Sequence, residues 1–186
     1  MTRNFAGDVP LDELVHLCDT ARHAPSAGFS QGTHFLVLSD SRLAEFWSVS
    51  GSGEWFAKVN PGVLTASACV LVLADRRSYL DRYSSPDKAG HGLEVADGWP
   101  IPYWLTDAAM AAQNLLLLIE ERRWGALFFG LFDRASRALP HFGVPTEVEC
   151  VGAIAVGRRS PDDLASGSSR RIARRGLQEQ IHLGHW

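Results

Sequence analysis

What the chain lacks narrows it first. No apolar run reaches the about 20 residues that a membrane span needs. The nearest candidate, Leu105–Ile119, is shorter and carries a charge at Asp107. Met1 leads through Arg3 and Asp8 to Pro10 with no apolar stretch between them. No signal peptide is therefore expected, and the expected compartment is the cytoplasm. Cysteine is scarce: Cys18, Cys69 and Cys150 are odd in number and lie in apolar surroundings. That pattern excludes a disulfide framework and suits buried, reduced thiols. Charge of one sign is also missing. A net charge of -3 gives no general pull toward nucleic acid or an anionic membrane. Leu131 stands where a Walker loop beginning at Gly125 would need Lys. Gly51-Ser52-Gly53 lacks the third glycine of a dinucleotide fingerprint. Only His182 and His185 of the seven histidines sit three apart, and no cysteine pair has zinc spacing, so no metal site is expected. Internal repeats and low-complexity runs are absent as well.

What is present centres on Tyr103–Gly130. Between Leu105 and Ile119 only Asp107 is charged, and Ala, Leu, Met and Gln dominate with no Gly or Pro among them. Such a run predicts a helix that is apolar nearly all round and therefore buried. Thr106 or Asp107 could cap its start and Gly125 could end it in a left-handed turn. A strand-like Ala126-Leu-Phe-Phe-Gly130 follows. Upstream, Leu11, Leu14, Val15, Cys18 and Ala21 repeat at helical spacing, and Pro25 ends that helix. His34–Leu38 predicts a strand, Ser41–Phe46 a short helix, and Gly51–Gly53 a break. Ala68–Ala74 is apolar on both faces and predicts a central strand. Ser84–Pro102 is a long Gly- and Pro-bearing segment of the kind that forms lids and binding loops. Asp133–Leu139 suits a helical turn, and Glu147–Val156 a strand. Strands and helices mix without a regular βαβ repeat, which predicts one α+β domain in layers over residues 1–186.

Two local patterns bear on chemistry. Gly28-Phe29-Ser30-Gln31-Gly32 matches the loose G-x-S-x-G form of serine hydrolases. That form needs a strand before it and a helix after it, and here the order is reversed. The other reading is a tight loop whose small residues let backbone approach a ligand. Residues 158–175 hold six arginines (Arg158, Arg159, Arg170, Arg171, Arg174 and Arg175) against Asp162 and Asp163, a local charge of +4. A nucleic-acid patch would interleave aromatics, and none are there. Paired guanidiniums also suit a phosphate monoester.

Four segments, in order, resemble the FMN-dependent nitroreductase family. The opening helix runs into Ala24-Pro-Ser-Ala-Gly-Phe-Ser-Gln31-Gly-Thr-His-Phe35, similar to a family loop of the type A-P-S-A-G-N-x-Q-P-W. The central helix carries Gln113-Asn-Leu-Leu-Leu117, followed by Arg123-Trp-Gly-Ala-Leu-Phe-Phe-Gly130. Pro145 leads through Val151 and Ile154 to Gly157, as in the family's last core strand. Arg174-Arg-Gly-Leu177-Gln-Glu-Gln-Ile-His182 resembles a tail pattern with Gly176 in place of Pro.

The resemblance implies a three-layer fold, a mostly antiparallel sheet flanked by helices, with a C-terminal tail extended onto the partner of a homodimer. It implies FMN at the dimer interface and NAD(P)H as electron donor. Arg3 aligns with a basic residue facing the flavin pyrimidine edge. Ser26, Ala27 and Gly28 line the ring and ribityl side, with Phe29 and Gln31 in the same loop. The backbone of Phe129 and Gly130 lies near flavin N5, and Arg174 with Arg175 matches the phosphate clamp. Trp99, Tyr103 and Trp104 are candidates to cover the flavin and stack on a planar acceptor; the alternative is that they seal the core. Phe29 stands where the family has Asn, and Gly32-Thr33 where it has Pro-Trp. An Arg-Arg-Ser run usual ahead of the residue aligned with Arg3 is not present, which shifts weight to the tail arginines. The flavin supplies the chemistry, so no catalytic side-chain acid is expected. The implied activity is hydride transfer from NAD(P)H to a nitroaromatic, a quinone or a similar small acceptor. A flavin-binding protein without catalysis is the other class, and a Ser30 hydrolase a third.

Overall fold

Alternation along one strand sets the layers. The computed structural model describes all residues except 165, 166 and 168–170; Arg170 thus lies outside the described residues. Among these it holds strands β1 (Thr33–Ser39), β2 (Ala68–Asp75), β3 (Trp124–Phe129) and β4 (Val148–Arg158). The helices are α1 (Leu11–Ala21), α2 (Asp40–Ser50), α3 (Ser52–Val59), α4 (Arg76–Tyr83), α5 (Tyr103–Glu121), α6 (Ala135–His141) and α7 (Leu177–Gln180). The sheet order is β1-β2-β4-β3, antiparallel throughout. Successive side chains of a strand face opposite ways. In β2 the set Ala68, Val70, Val72 and Ala74 joins one core with Leu14 and Leu17 of α1 and Ala108, Leu115 and Ile119 of α5. The set Cys69, Leu71 and Leu73 joins a second core with Leu43 and Phe46 of α2, Phe56 of α3 and Ala138 of α6. With helices on both faces, the apolar character of β2 on both sides is accounted for, and the three-layer α+β fold is the one expected.

Residues ahead of α1 also belong to the sheet region. The Thr2 N–H donates to the Ala126 carbonyl at 2.8 Å, and Phe5 bridges to Arg159. Thr2 leaves no room for a side chain at 125: a Cβ on Gly125 would lie 2.7 Å from Thr2 Cγ2. The backbone N–H groups of Arg3 and Asn4 both donate to the Asp163 carboxylate, at 2.8 and 3.0 Å.

Several boundaries differ from expectation. α5 starts after Pro102, so Thr106 and Asp107 lie inside the helix and do not cap it. Its end uses Arg123 in the left-handed region (φ 57), leaving Gly125 free to sit in β3. Gly51 (φ 70) does not break the chain but links α2 directly to α3, a helix the sequence pattern did not announce. α5 is also buried on one side only. Trp104, Ala108, Ala111, Ala112, Leu115 and Ile119 face the core, while Met110 and Leu117 stay exposed, as do Leu11 and Val15 of α1. Among the described residues no helix is long and apolar enough to cross a membrane.

The Ser84–Pro102 segment has one short 3₁₀ helix, Ala96–Gly98, and delivers Trp99 to the first core. Trp99 meets Tyr83, Tyr79, Tyr103 and Trp104 with ring centroids 4.7–6.1 Å apart. Its indole N–H donates to the Leu93 carbonyl at 2.8 Å, and that of Trp104 to Glu149 Oε1 at 2.8 Å. Removing a buried Trp typically costs about 3–5 kcal/mol. Trp99→Ala is therefore expected to lower unfolding free energy by about that amount in urea titration; a loss under about 1 kcal/mol would show that the ring does not anchor this segment.

Candidate functional site

The loop between α1 and β1 is held in an uncommon backbone shape. Gly28, Phe29 and Gln31 all take positive φ, at 60°, 58° and 54°. For residues with a Cβ such conformations cost about 1–3 kcal/mol each and persist only when the surroundings impose them. Here the surroundings do. Asp107 Oδ2 accepts the Ala27 N–H at 2.8 Å and the Tyr79 hydroxyl at 2.8 Å. Ser26 Oγ accepts the Gln31 N–H at 3.0 Å, and the Ser30 hydroxyl donates to the Ala27 carbonyl at 2.7 Å. Arg82 Nε donates to the Gly28 carbonyl at 2.8 Å, while its two terminal nitrogens fork onto the Asp87 carboxylate at 2.8 and 2.7 Å. Two close approaches finish the mould. A Cβ on Gly32 would stand 2.6 Å from the Asp75 carbonyl, and one on Gly28 would stand 2.8 Å from the Tyr83 ring. With these groups engaged, the loop turns Phe29 to the outside, 75% exposed.

The electrostatics are those of a locked scaffold. Asp107 is the one charged residue classed as buried among the described residues. An ionised carboxylate only accepts, and donors surround it, including the Thr106 hydroxyl at 3.3 Å on Oδ1. Burial first, and then the bond to Asp107, push the Tyr79 hydroxyl pKa upward, so it remains a donor. The Arg82 fork holds the Asp87 carboxyl at about 2, so this tie stays intact as pH varies around neutrality. Burial pushes the Cys18 thiol up to about 12, and Cys69 upward as well. Cys150 rises to about 11 for the same reason, leaving three free, unreactive thiols.

The other candidate residues stand elsewhere. Phe129 and Gly130 close β3 at the end of the sheet where β1 begins, but on the opposite edge. Leu36, Leu71, Ala153 and Phe129 lie abreast across the four strands. Three inter-strand steps put about 14 Å between those edges, more than a three-ring heterocycle spans. One chain thus does not bring loop 26–31 and Phe129–Gly130 together. Arg3 lies with β3: Thr2, next to it, bonds Ala126. Arg174 and Arg175 are exposed, as are the tail residues Leu177, Ile181, Leu183 and Trp186. Of the aromatics considered for an acceptor, Trp99 and Trp104 are buried and Tyr103 alone is substantially exposed, at 39%. Ser30 hydrogen-bonds a carbonyl and not a base, which removes the geometry a nucleophile needs. No group of three or more metal-ligating side chains occurs among the described residues.

Sequence reasoning missed Asp107, Tyr79 and Arg82 as the residues that shape the loop. For Asp107 a signal was available: a lone charge inside an apolar helix must find donors from outside it. Tyr79 and Arg82 carry no such mark, since α4 buries only Tyr79 and has no apolar stripe.

Known proteins agree with this architecture. A curated protein of Archaeoglobus fulgidus, named "Putative NADH dehydrogenase/NAD(P)H nitroreductase", is 26% identical over 149 residues, covering 78% of this chain and 72% of that protein. A "Nitroreductase-like Family Protein" from Bacillus cereus superposes with a TM-score of 0.69 at 16% identity, covering 97% of this chain and 89% of its own. A "putative nitroreductase in complex with fmn" from Desulfovibrio desulfuricans gives 0.66 at 24% identity, covering 100% and 91%. The model of the Nitroreductase family matches residues 1–158, so the chain belongs to that family.

Proposed function

We propose that this nitroreductase-family protein is an FMN-dependent oxidoreductase that takes electrons from NAD(P)H and passes them to a small planar acceptor such as a nitroaromatic or a quinone. The observation that carries this is the locked loop. Asp107, itself held by the Tyr79 hydroxyl, fixes the Ala27 N–H, and Arg82 fixes the Gly28 carbonyl, so the backbone of Ser26, Ala27 and Gly28 is preset and the loop's exposed side, at Phe29, is left for a ligand. A fold shared with an FMN complex supports a flavin as that ligand. Bound FMN would supply hydride acceptance and return at N5. The protein's part is to hold the ring and exclude water. The Gly130 N–H and the Arg3 guanidinium are suited to the two ends of the ring where reduction adds charge. Gln31 and Tyr103 stand at the margin of such a site, and Arg174 and Arg175 are the cations for the phosphate.

The reading includes a homodimer. The loop and Phe129–Gly130 sit on opposite edges of one sheet, so a site using both would draw them from two chains. The exposed apolar face of α5 and α1, and an exposed tail with Leu177, Ile181 and Trp186, support that assembly. Light scattering at micromolar concentration should give twice the chain mass; a monomer mass would exclude it. Three free cysteines, two of them buried, support a cytoplasmic location.

The purified protein should show flavin absorption bands that NADH or NADPH bleaches. A yellow protein bleached by neither donor would instead mark a flavin carrier. Titrating FMN and riboflavin into the apoprotein tests the residue roles. Each charge-assisted hydrogen bond contributes about 1.5–3 kcal/mol. Losing an arginine's pair should therefore weaken FMN by about 10²–10³-fold in Arg174→Ala or Arg175→Ala and leave riboflavin unchanged. No selective loss in either variant would return the tail's charge to solvent. Asp107→Ala strands two buried donors and should cost about 3 kcal/mol of stability and weaken both ligands alike. Asp107→Asn keeps an acceptor and should be milder on both counts; equal binding in wild type and Asp107→Ala would show that the loop does not hold the ring.

A further inference from the structure

Where β3 ends, a second feature faces outward that neither the fold nor the loop uses. Trp55 of α3, Phe129, Gly130, Phe132 and Arg134 surround a cleft of about 100 Å³. Phe132 is 82% exposed and is held there by a left-handed backbone, φ 52. A large ring that is both strained in backbone and exposed gains little from its own chain. Its position also depends on Gly130, since a Cβ there would lie 2.9 Å from the Phe132 ring. Trp55, lining the same cleft, is 45% exposed, with its edge-to-face partner Phe56 4.8 Å away. The Arg134 guanidinium lies over the Trp55 ring, 5.7 Å from its centroid. Its nearest acid, Asp133, is 3.8 Å away and 85% exposed, a long pair that leaves the guanidinium, 27% exposed at the side chain, with donors to spare. Arg137, the next cation along, is engaged with the Ser50 carbonyl at 3.1 Å. The cleft therefore offers the Phe132 ring, the part of the Trp55 ring that Arg134 leaves uncovered and one planar cation with spare donors, a set matched to a flat ring bearing a carboxylate.

We propose that this cleft selects the electron acceptor, and that it selects aromatic carboxylates over neutral aromatics. The ring lies against Trp55 and Phe132, and the carboxylate takes the Arg134 fork. The inference rests on the flavin reading only in that Phe129–Gly130 borders the reacting ring; the binding itself needs no turnover.

The test is calorimetry of 4-nitrobenzoate and 4-nitrobenzamide on the purified protein, with its flavin content read from the absorption spectrum of the same sample. The two probes share ring and nitro group and differ in charge. Wild type should bind the carboxylate at least about tenfold tighter, the scale of one charge-assisted contact. Arg134→Gln should abolish that preference while leaving the amide unchanged. Trp55→Ala should weaken both probes by a similar factor. Thermal melts of each variant confirm that it is folded, and Arg134→Lys, which keeps the charge without the fork, should restore only part of the preference. Equal binding of the two probes to wild type, or a preference that survives Arg134→Gln, would overturn the assignment. Flavin bands with no preference would sink the cleft and leave the cofactor reading standing; a preference without flavin bands would leave a carboxylate site but overturn its role in choosing an electron acceptor.

Discussion

Asp107 brings a charge into the interior of a helix that has no partner of its own for it. A carboxylate taken out of water must be met by donors, and α5 offers only Thr106. The remaining donors come from two other places in the chain, the Ala27 backbone and the Tyr79 hydroxyl. One side chain thereby joins the loop after α1, the helix after β2 and the central helix. The alternative arrangements of that loop each leave a buried carboxylate or a buried N–H unpaired, at a cost of several kcal/mol. That is why three positive φ angles can stand within four residues, and why Gly28 and Gly32 fit against Tyr83 and Asp75 without a Cβ.

The same constraint explains the choice of side chains in α4. Tyr79 must be long enough to reach Asp107 while its ring closes the core against Trp99 and Trp104. One turn on, Arg82 reaches outward, to the Gly28 carbonyl and to Asp87 at the head of the long segment. The inner tie is desolvated and strong; the outer one is exposed and weaker, and salt screens it more. Loop and segment are thus connected by a graded pair of contacts, a rigid one at Ala27 and a softer one at Gly28.

Periodicity made most of the fold legible. β2 showed as apolar on both faces, β4 as a strand, α1 as a stripe and α5 as a long uninterrupted run, because in each the packing partner dictates the pattern. Where packing does not dictate, the pattern was silent. α4 hides because one tyrosine is all it buries. α3 hides because Gly51 can be left-handed, so that two helices meet at a residue that otherwise signals a break. The caps of α5 were misassigned because Thr106 and Asp107 have cap chemistry, but their hydrogen bonds are tertiary. Of the candidate site, the loop residues Ser26–Gln31 were legible through a family pattern and their conformation was not, since the side chains that fix it, the donor Arg82 and the acceptor Asp107, lie 54 and 80 positions downstream, a separation that no local rule spans.

α5 shows how far a single chain can satisfy its own sequence. A helix that is apolar nearly all round needs cover on every side, and the sheet with α1 covers only the face that runs from Trp104 to Ile119. On the opposite face Met110 and Leu117 remain in water, with Gln113 and Asn114 between them. That mixture differs from the core side, which holds no neutral amide. It has the composition of a surface that is apolar enough to be covered and polar enough to give a partner register. Under the dimer proposed above, the two faces of this helix would separate two tasks. The inner face fixes the loop through Asp107, and the outer face would set the distance between one chain's loop and the other chain's β3 end. A substitution on the outer face would then alter the ligand site without touching it, because the helix that carries Asp107 would move as one rigid body.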